Sequence, residues 1–206
     1  MAWDFSTEPE FQEKLDWVKQ FCEEKIEPLD HIFPHAVRSP IPAVKAYVRE
    51  LQQEVKDQGL WAIFLDAELG GPGSGQLELG LLNEIIGRYA GAPHMFGASA
   101  PDTGNMEMLA AYGTEEQKQR WLPGICDGTG TMAFAITEPD AGSNSHRITT
   151  TARRDGSDWI LKGQKVFISG IDQAQAVLVV GRTEDHKTGN LKPALFVVPT
   201  PSVYGM

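Results

Sequence analysis

The stretch MAFAITEPDAGSNSHRITTTARRDGSDWILKGQKVFISG, residues 132–170, decides how this chain is read. It opens on an apolar run, residues 132–136, that is too short for a lone helix and suits a buried strand. Thr137-Glu138-Pro139 ends the run. Proline lacks a backbone donor and forces the residue before it out of the helical region, so an open turn is expected there. Residues 140–145 are small and can bring amides and hydroxyls close to a ligand; such concavities suit phosphate oxygens. The chain returns in three strand-like runs, 148–152, 159–161 and 166–169, with turns at Asp155-Gly156-Ser157 and Gly163-Gln164. Runs rich in Thr, Val, Ile and aromatics between Gly- and Asp-containing turns predict an antiparallel sheet. Strand ends at Thr137 and at Phe167 to Ser169 then offer hydroxyls to one ligand, with the Phe167 ring beside them. A planar heteroaromatic ring with a phosphate tail would satisfy these groups together. The same composition also fits a plain hairpin domain in which Thr and Ser are solvated and Glu138-Pro139 is only a turn.

Outside this stretch the composition sets limits. With 206 residues, 41% of them hydrophobic, the chain can bury a substantial core. A formal net charge of -10 argues against broad nucleic-acid binding, because a phosphate backbone would be repelled. Arg147, Arg153, Arg154, Lys162 and Lys165 form a local basic cluster that could face an anionic cofactor, although charges flanking a hairpin more often form a solvated face. Cys22 and Cys126 stand alone, so neither a disulfide framework nor a zinc site is indicated. With no membrane-span pattern and an acidic stretch at residues 1–10, the expected location is cytoplasmic.

The residues before 124 are helical in pattern. Thr7 and Glu10 form a candidate capping box, followed by Phe11, Leu15, Val18, Phe21 or Cys22, and Ile26 at helical spacing down to Pro28. Residues 31–42, with three prolines, read as a connection. His31 and His35 lack the partners of a metal motif. A second helix from about Ala43 carries Val44, Tyr47, Val48, Leu51 and Val55 and stops at Gly59. Residues 60–65, the glycine loop 70–75 and an apolar helix at 77–89 imitate a dinucleotide-binding unit. The order Gly-Gly-Pro-Gly-Ser-Gly does not give the required glycine spacing, and Pro72 removes an amide the phosphate would need. A further helix is expected near 105–112. Thr114 to Gln117 form a capping box that starts another, ended by Pro123. From Gly124 the period becomes strand-like, through 176–182 and 194–200, with a polar hairpin loop at 184–190. The predicted fold class is therefore α+β, a helical domain over 1–126 and a β domain over 127–206.

The ordered wording Ala-Ile-Thr-Glu-Pro-Asp-Ala-Gly-Ser-Asn (135–144), followed by Gly-Gln-Lys-Val-Phe-Ile-Ser-Gly (163–170), resembles the acyl-CoA dehydrogenase signature. Gly59-Leu60-Trp61, residues 66–73, residues 112–118 and Trp121-Leu122-Pro123 are similar to that family as well. The resemblance implies an amino-terminal all-helical domain and an antiparallel β-barrel-like middle domain, here truncated, with a carboxy-terminal helical domain not included. It also implies FAD as cofactor, an acyl-CoA substrate, α,β-dehydrogenation with hydride transfer to the flavin, an electron-transfer flavoprotein as oxidant, and a homo- or hetero-oligomer. The implied cofactor-binding residues are Phe134, Ile136, Thr137, Gly142, Ser143, Asn144, Phe167 and Ser169, with Ser143 also near the bound acyl-CoA. Phe167 stands where the family commonly has Trp, Ser169 where Thr is common, and Asn144 where Asp is usual. The family's glutamate base lies in the carboxy-terminal domain, so no catalytic residue is expected here and Glu138 reads as a turn residue. A noncatalytic FAD-binding or interaction subunit, completed by a separate helical partner, is the alternative.

Overall fold

The computed structural model describes residues 6–69 and 71–200; Gly70 of the glycine loop, the first five residues of the acidic stretch and residues 201–206 lie outside them. The chain divides into two compact units, between Thr103 and Gly104.

In the first unit, α1 (Pro9–Phe21) buries Phe11, Leu15, Val18 and Phe21 along one stripe, as the spacing predicts. Its start differs from the expected capping box. Glu8 is the N-cap without a side-chain bond, and the Thr7 hydroxyl donates instead to Gln12 at 2.6 Å. Nor does Pro28 end the helix. A π-helical turn (Cys22–Ile26) is followed by α2 (Glu27–Ile32), and Pro28 falls in the first turn of α2, where a missing N–H costs little.

α3 (Pro42–Asp57) buries Val44, Val48, Leu51 and Val55 and leaves Tyr47 exposed. It closes in a Schellman motif: the Gly59 and Leu60 amides bond the Lys56 and Val55 carbonyls, and Gly59 supplies the left-handed φ of +67°. The apolar run 60–65 forms buried turns rather than a strand, with the Ala62 amide bonded to the Phe96 carbonyl. α4 (Gln76–Ile86) buries Leu82 and Ile86, and the short α5 (Ala92–Met95) interrupts the expected loop after it. These elements share one apolar core around Val18, Ile26, Leu51, Val55, Leu82, Ile86 and Phe96.

The second unit joins two helices to a sheet. α6 (Asp102–Tyr112) buries Met106 and Leu109, and α7 (Glu115–Cys126) begins at the predicted capping box, with Thr114 and Gln117 bonding each other's backbone amides. α7 continues through Pro123, whose carbonyl still accepts from Asp127, so the proline removes one hydrogen bond without stopping the last turn.

The sheet comprises β1 (Met132–Ala135), β2 (Thr151–Asp155), β3 (Asp158–Lys162), β4 (Ala176–Glu184) and β5 (Leu191–Pro199). It is mixed and open rather than antiparallel and barrel-like: β4 runs parallel to β1 and, at Thr151↔Arg182, to β2. Only β2–β3 and β4–β5 are antiparallel, because only those pairs are joined by short turns that force reversal. β4 is central and buries Ala176, Val177 and Leu178 in succession. Asn105 on α6 donates to the Met132 carbonyl at 2.7 Å and so ties that helix to the start of β1.

No helix among the described residues is long and apolar enough to cross a membrane. Replacing Thr114 with Ala should lower stability by about 1 kcal/mol, read as a lower midpoint in urea unfolding with an unchanged slope.

Candidate functional site

The end of β1 leads into a network centred on one carboxylate. Glu138-Pro139-Asp140-Ala141 closes as a tight turn, with reciprocal backbone bonds of 3.1 Å between Glu138 and Ala141. The expected open turn is thus closed, because Pro139 supplies the φ that a second turn residue needs. The Glu138 side chain turns inward and is 4% exposed. Its Oε2 accepts from the Thr149 amide and hydroxyl, both at 2.7 Å, and its Oε1 from the Thr150 amide at 3.0 Å and Lys165 Nζ at 2.9 Å. Lys165 Nζ also donates to the Ile136 carbonyl at 2.8 Å. Burial alone would raise the Glu138 pKa, but the bonds from Thr149, Thr150 and Lys165 outweigh it and hold the carboxyl well below the usual carboxylate range.

This network explains two departures from the predicted strands. β2 begins at Thr151 rather than at 148 because the Thr149 and Thr150 amides serve the carboxylate. Residues 166–169 form no strand. Gly163 packs so closely on Thr150 that a Cβ has no room, and the Val166 amide bonds the Thr137 carbonyl at 3.0 Å. Phe167 then adopts a left-handed φ of +58°, costly for a side chain with a Cβ, and its ring is 92% exposed.

The residues singled out from sequence are placed as follows. Phe134 lies half-buried in β1, while Ile136 and Thr137 follow the strand end, also half-buried. Val166 brings the Phe167 segment beside Thr137, and Ser169 is exposed in the next turn. Gly142, Ser143 and Asn144 are exposed; a Cβ at Gly142 would meet open space. Among the described residues, the Gly142 and Ser143 amides have no hydrogen-bond acceptor. Asn144 Oδ1 accepts from the His146 amide at 3.2 Å and caps a 3-10 turn (Ser145–Arg147). Arg147, Arg153, Arg154 and Lys162 are exposed, as a solvated face requires, but the Lys165 side chain is only 11% exposed. Its pairing was not legible in sequence, because nothing local distinguishes it from its basic neighbours. No group of three or more His, Cys, Asp or Glu side chains among the described residues could hold a metal ion.

Residues 8–129 match the acyl-CoA dehydrogenase N-terminal domain, and residues 133–206 match the acyl-CoA dehydrogenase middle domain. The chain belongs to the acyl-CoA dehydrogenase family. Its relatives include acyl-CoA dehydrogenase FadE12 of Mycobacterium tuberculosis, 60% identical over 154 residues, covering 75% of this chain and 39% of that protein. A Mycobacterium abscessus structure ascribed to an acyl-CoA dehydrogenase superposes with a TM-score of 0.82 at 29% identity, covering 95% of this chain and 51% of that one. A glutaryl-CoA dehydrogenase of Mycobacterium smegmatis in complex with FADH2 superposes with a TM-score of 0.71 at 30% identity, covering 94% and 46%. The chain thus spans about half, or less, of the length of these acyl-CoA dehydrogenases.

Within this family fold, Glu138→Gln leaves the Lys165 ammonium without its buried counter-charge and should destabilise the chain by about 3–5 kcal/mol at neutral pH. Because the folded state binds the Glu138 proton more weakly than the unfolded state, the stabilisation is complete above the ordinary value of 4.5 and is lost as pH falls below it. Urea unfolding of both proteins should therefore show a stability gap at pH 7 that narrows below about pH 4.5.

Proposed function

We propose that this chain is the amino-terminal part of an FAD-dependent acyl-CoA dehydrogenase that removes hydrogen from the α and β carbons of an acyl-CoA thioester. The observation that carries the proposal is Phe167, a large apolar ring held 92% exposed by a left-handed backbone beside the hydroxyl-bearing end of β1. An isoalloxazine ring system offers a flat apolar face that would take such an exposed ring out of water.

The residues present fit such a group. Phe134, Ile136 and Thr137 would run along the flavin, with the Thr137 hydroxyl on a polar ring edge, and Phe167 and Ser169 would supply a ring contact and a hydroxyl. The Gly142 and Ser143 amides, with no acceptor among the described residues and open space in front of Gly142, would suit pyrophosphate oxygens or the phosphate of an acyl-CoA at Ser143. Asn144 would serve through its Nδ2, because its Oδ1 is engaged by His146. When bound, FAD supplies the acceptor for the hydride that leaves the β carbon. We assign no catalytic base to the chain. Glu138 is the buried carboxylate among the described residues, and four donors already occupy its two oxygens.

The same reading brings an acyl-CoA substrate, an electron-transfer flavoprotein as electron acceptor, and association with further copies or subunits. It places the functional division at 126/127, the helical part before it and the β part after. By compactness alone, α7 and most of α6 group with the sheet.

The visible absorption spectrum of FAD titrated with the purified chain tests the proposal. A flavin band that changes shape on binding is expected, and Phe167→Ala should weaken binding about tenfold, or about 1.4 kcal/mol. A band unperturbed by the wild-type chain would remove this surface as a flavin site of the chain.

A further inference from the structure

We infer that the buried Glu138–Lys165 pair is a positioning device that holds the Phe167–Ser169 segment with its ring outward, so that the two charged residues set the geometry of a flavin-facing surface neither of them touches. The inference rests on the flavin reading of that surface for its purpose, but the geometry it is argued from does not depend on that reading.

Three segments meet at the pair: the end of β1 at Ile136 and Glu138, the approach to β2 at Thr149 and Thr150, and the irregular stretch 163–168. The first two have sheet hydrogen bonds close by. The third has no strand or helix of its own, yet it carries the outward Phe167 ring and leads directly into the exposed Ser169. Ile168 at its far end packs against the apolar cluster of Ala133, Ala135, Ala174 and Val177, and three further contacts hold the part before Phe167. Gly163 packs on Thr150, Lys165 binds both Glu138 and the Ile136 carbonyl, and the Val166 amide bonds Thr137.

A left-handed backbone at a residue with a Cβ persists only where its surroundings over-determine it. Phe167 lies directly after Lys165 and Val166, and on its other side the Gly170 turn is closed by bonds from Gln173 and Ala174 to the Gly170 carbonyl. Without the Lys165 anchor the backbone could relax to an extended conformation, which would swing the ring off its present direction. A buried ion pair suits this task better than an apolar contact. Each Glu138 oxygen takes two donors of fixed direction, and removal of one charge leaves the other uncompensated, so intermediate positions are disfavoured.

The test replaces both charges at once, Glu138→Gln with Lys165→Met, so that no unpaired charge remains buried. Hydrogen exchange of the Val166 amide is then measured, together with the flavin titration. The expected result is Val166 exchange faster by about tenfold or more and FAD binding weaker by about tenfold, while the β4 amides of 177–179 keep wild-type protection. A merely structural pair would change the β4 amides and Val166 alike. Thr149→Val removes one neutral donor from the same carboxylate and should speed Val166 exchange by about two- to threefold, which decides the matter even where the double substitution fails to fold. Wild-type exchange at Val166 in these variants would overturn the inference. A wild-type chain that leaves FAD unperturbed would instead overturn the flavin reading, and the Val166 exchange would still decide the role of the pair.

Discussion

A carboxylate taken out of water loses several kcal/mol of hydration unless the protein replaces it, and at Glu138 the replacement comes from four donors on two other parts of the chain. The start of β2 and the course of the stretch around Lys165 follow from that requirement. Thr149 and Thr150 give their amides to the carboxylate and delay the start of β2. Lys165 is drawn inward and carries the stretch around it against the end of β1. The tight turn at Pro139 and Asp140 allows the Glu138 side chain to point into the fold while the small-residue loop beyond Ala141 stays exposed.

The consequence for function is a division of labour between charged and neutral groups. The residues expected around a flavin and an acyl-CoA are uncharged; Phe134, Ile136 and Thr137 are half-buried, and Gly142, Ser143, Asn144, Phe167 and Ser169 are exposed. The buried ionic groups, Glu138 and Lys165, are engaged by partners of their own. A site arranged in this way keeps its donors in place through packing and buried hydrogen bonds rather than through contact with the ligand, so less ordering remains to be done on binding.

The helical unit serves a different end. Its core is formed by regular stripes from α1, α3 and α4 together with buried irregular turns at residues 60–65. Those turns hold an apolar run that has the composition of a strand. They remain turns because the Ala62 amide finds its partner in the Phe96 carbonyl and not in a neighbouring strand. Residues 71–75 then lead into α4.

The sequence by itself determined the sequence of helical and strand regions, the capping box at Thr114, the stop at Gly59, the hairpins at Gly156 and 184–190, and the family. All but the family rest on side-chain period, on a cap within four residues or on a glycine suited to a tight turn, all of which are local; the resemblance to the family rests on the ordered wording of residues 135–144 and 163–170. Only the tertiary structure decided that β1 and β2 run parallel to β4, since the connections between these strands are long and impose no direction. It also decided that the 166–169 run is not a strand, that Glu138 is more than a turn residue, and that Lys165 is set apart from the basic residues around it. Those outcomes depend on partners 11 to 29 residues away. The period and composition of a short segment carry no information about which distant carboxylate, amide or ammonium will meet it when water is excluded.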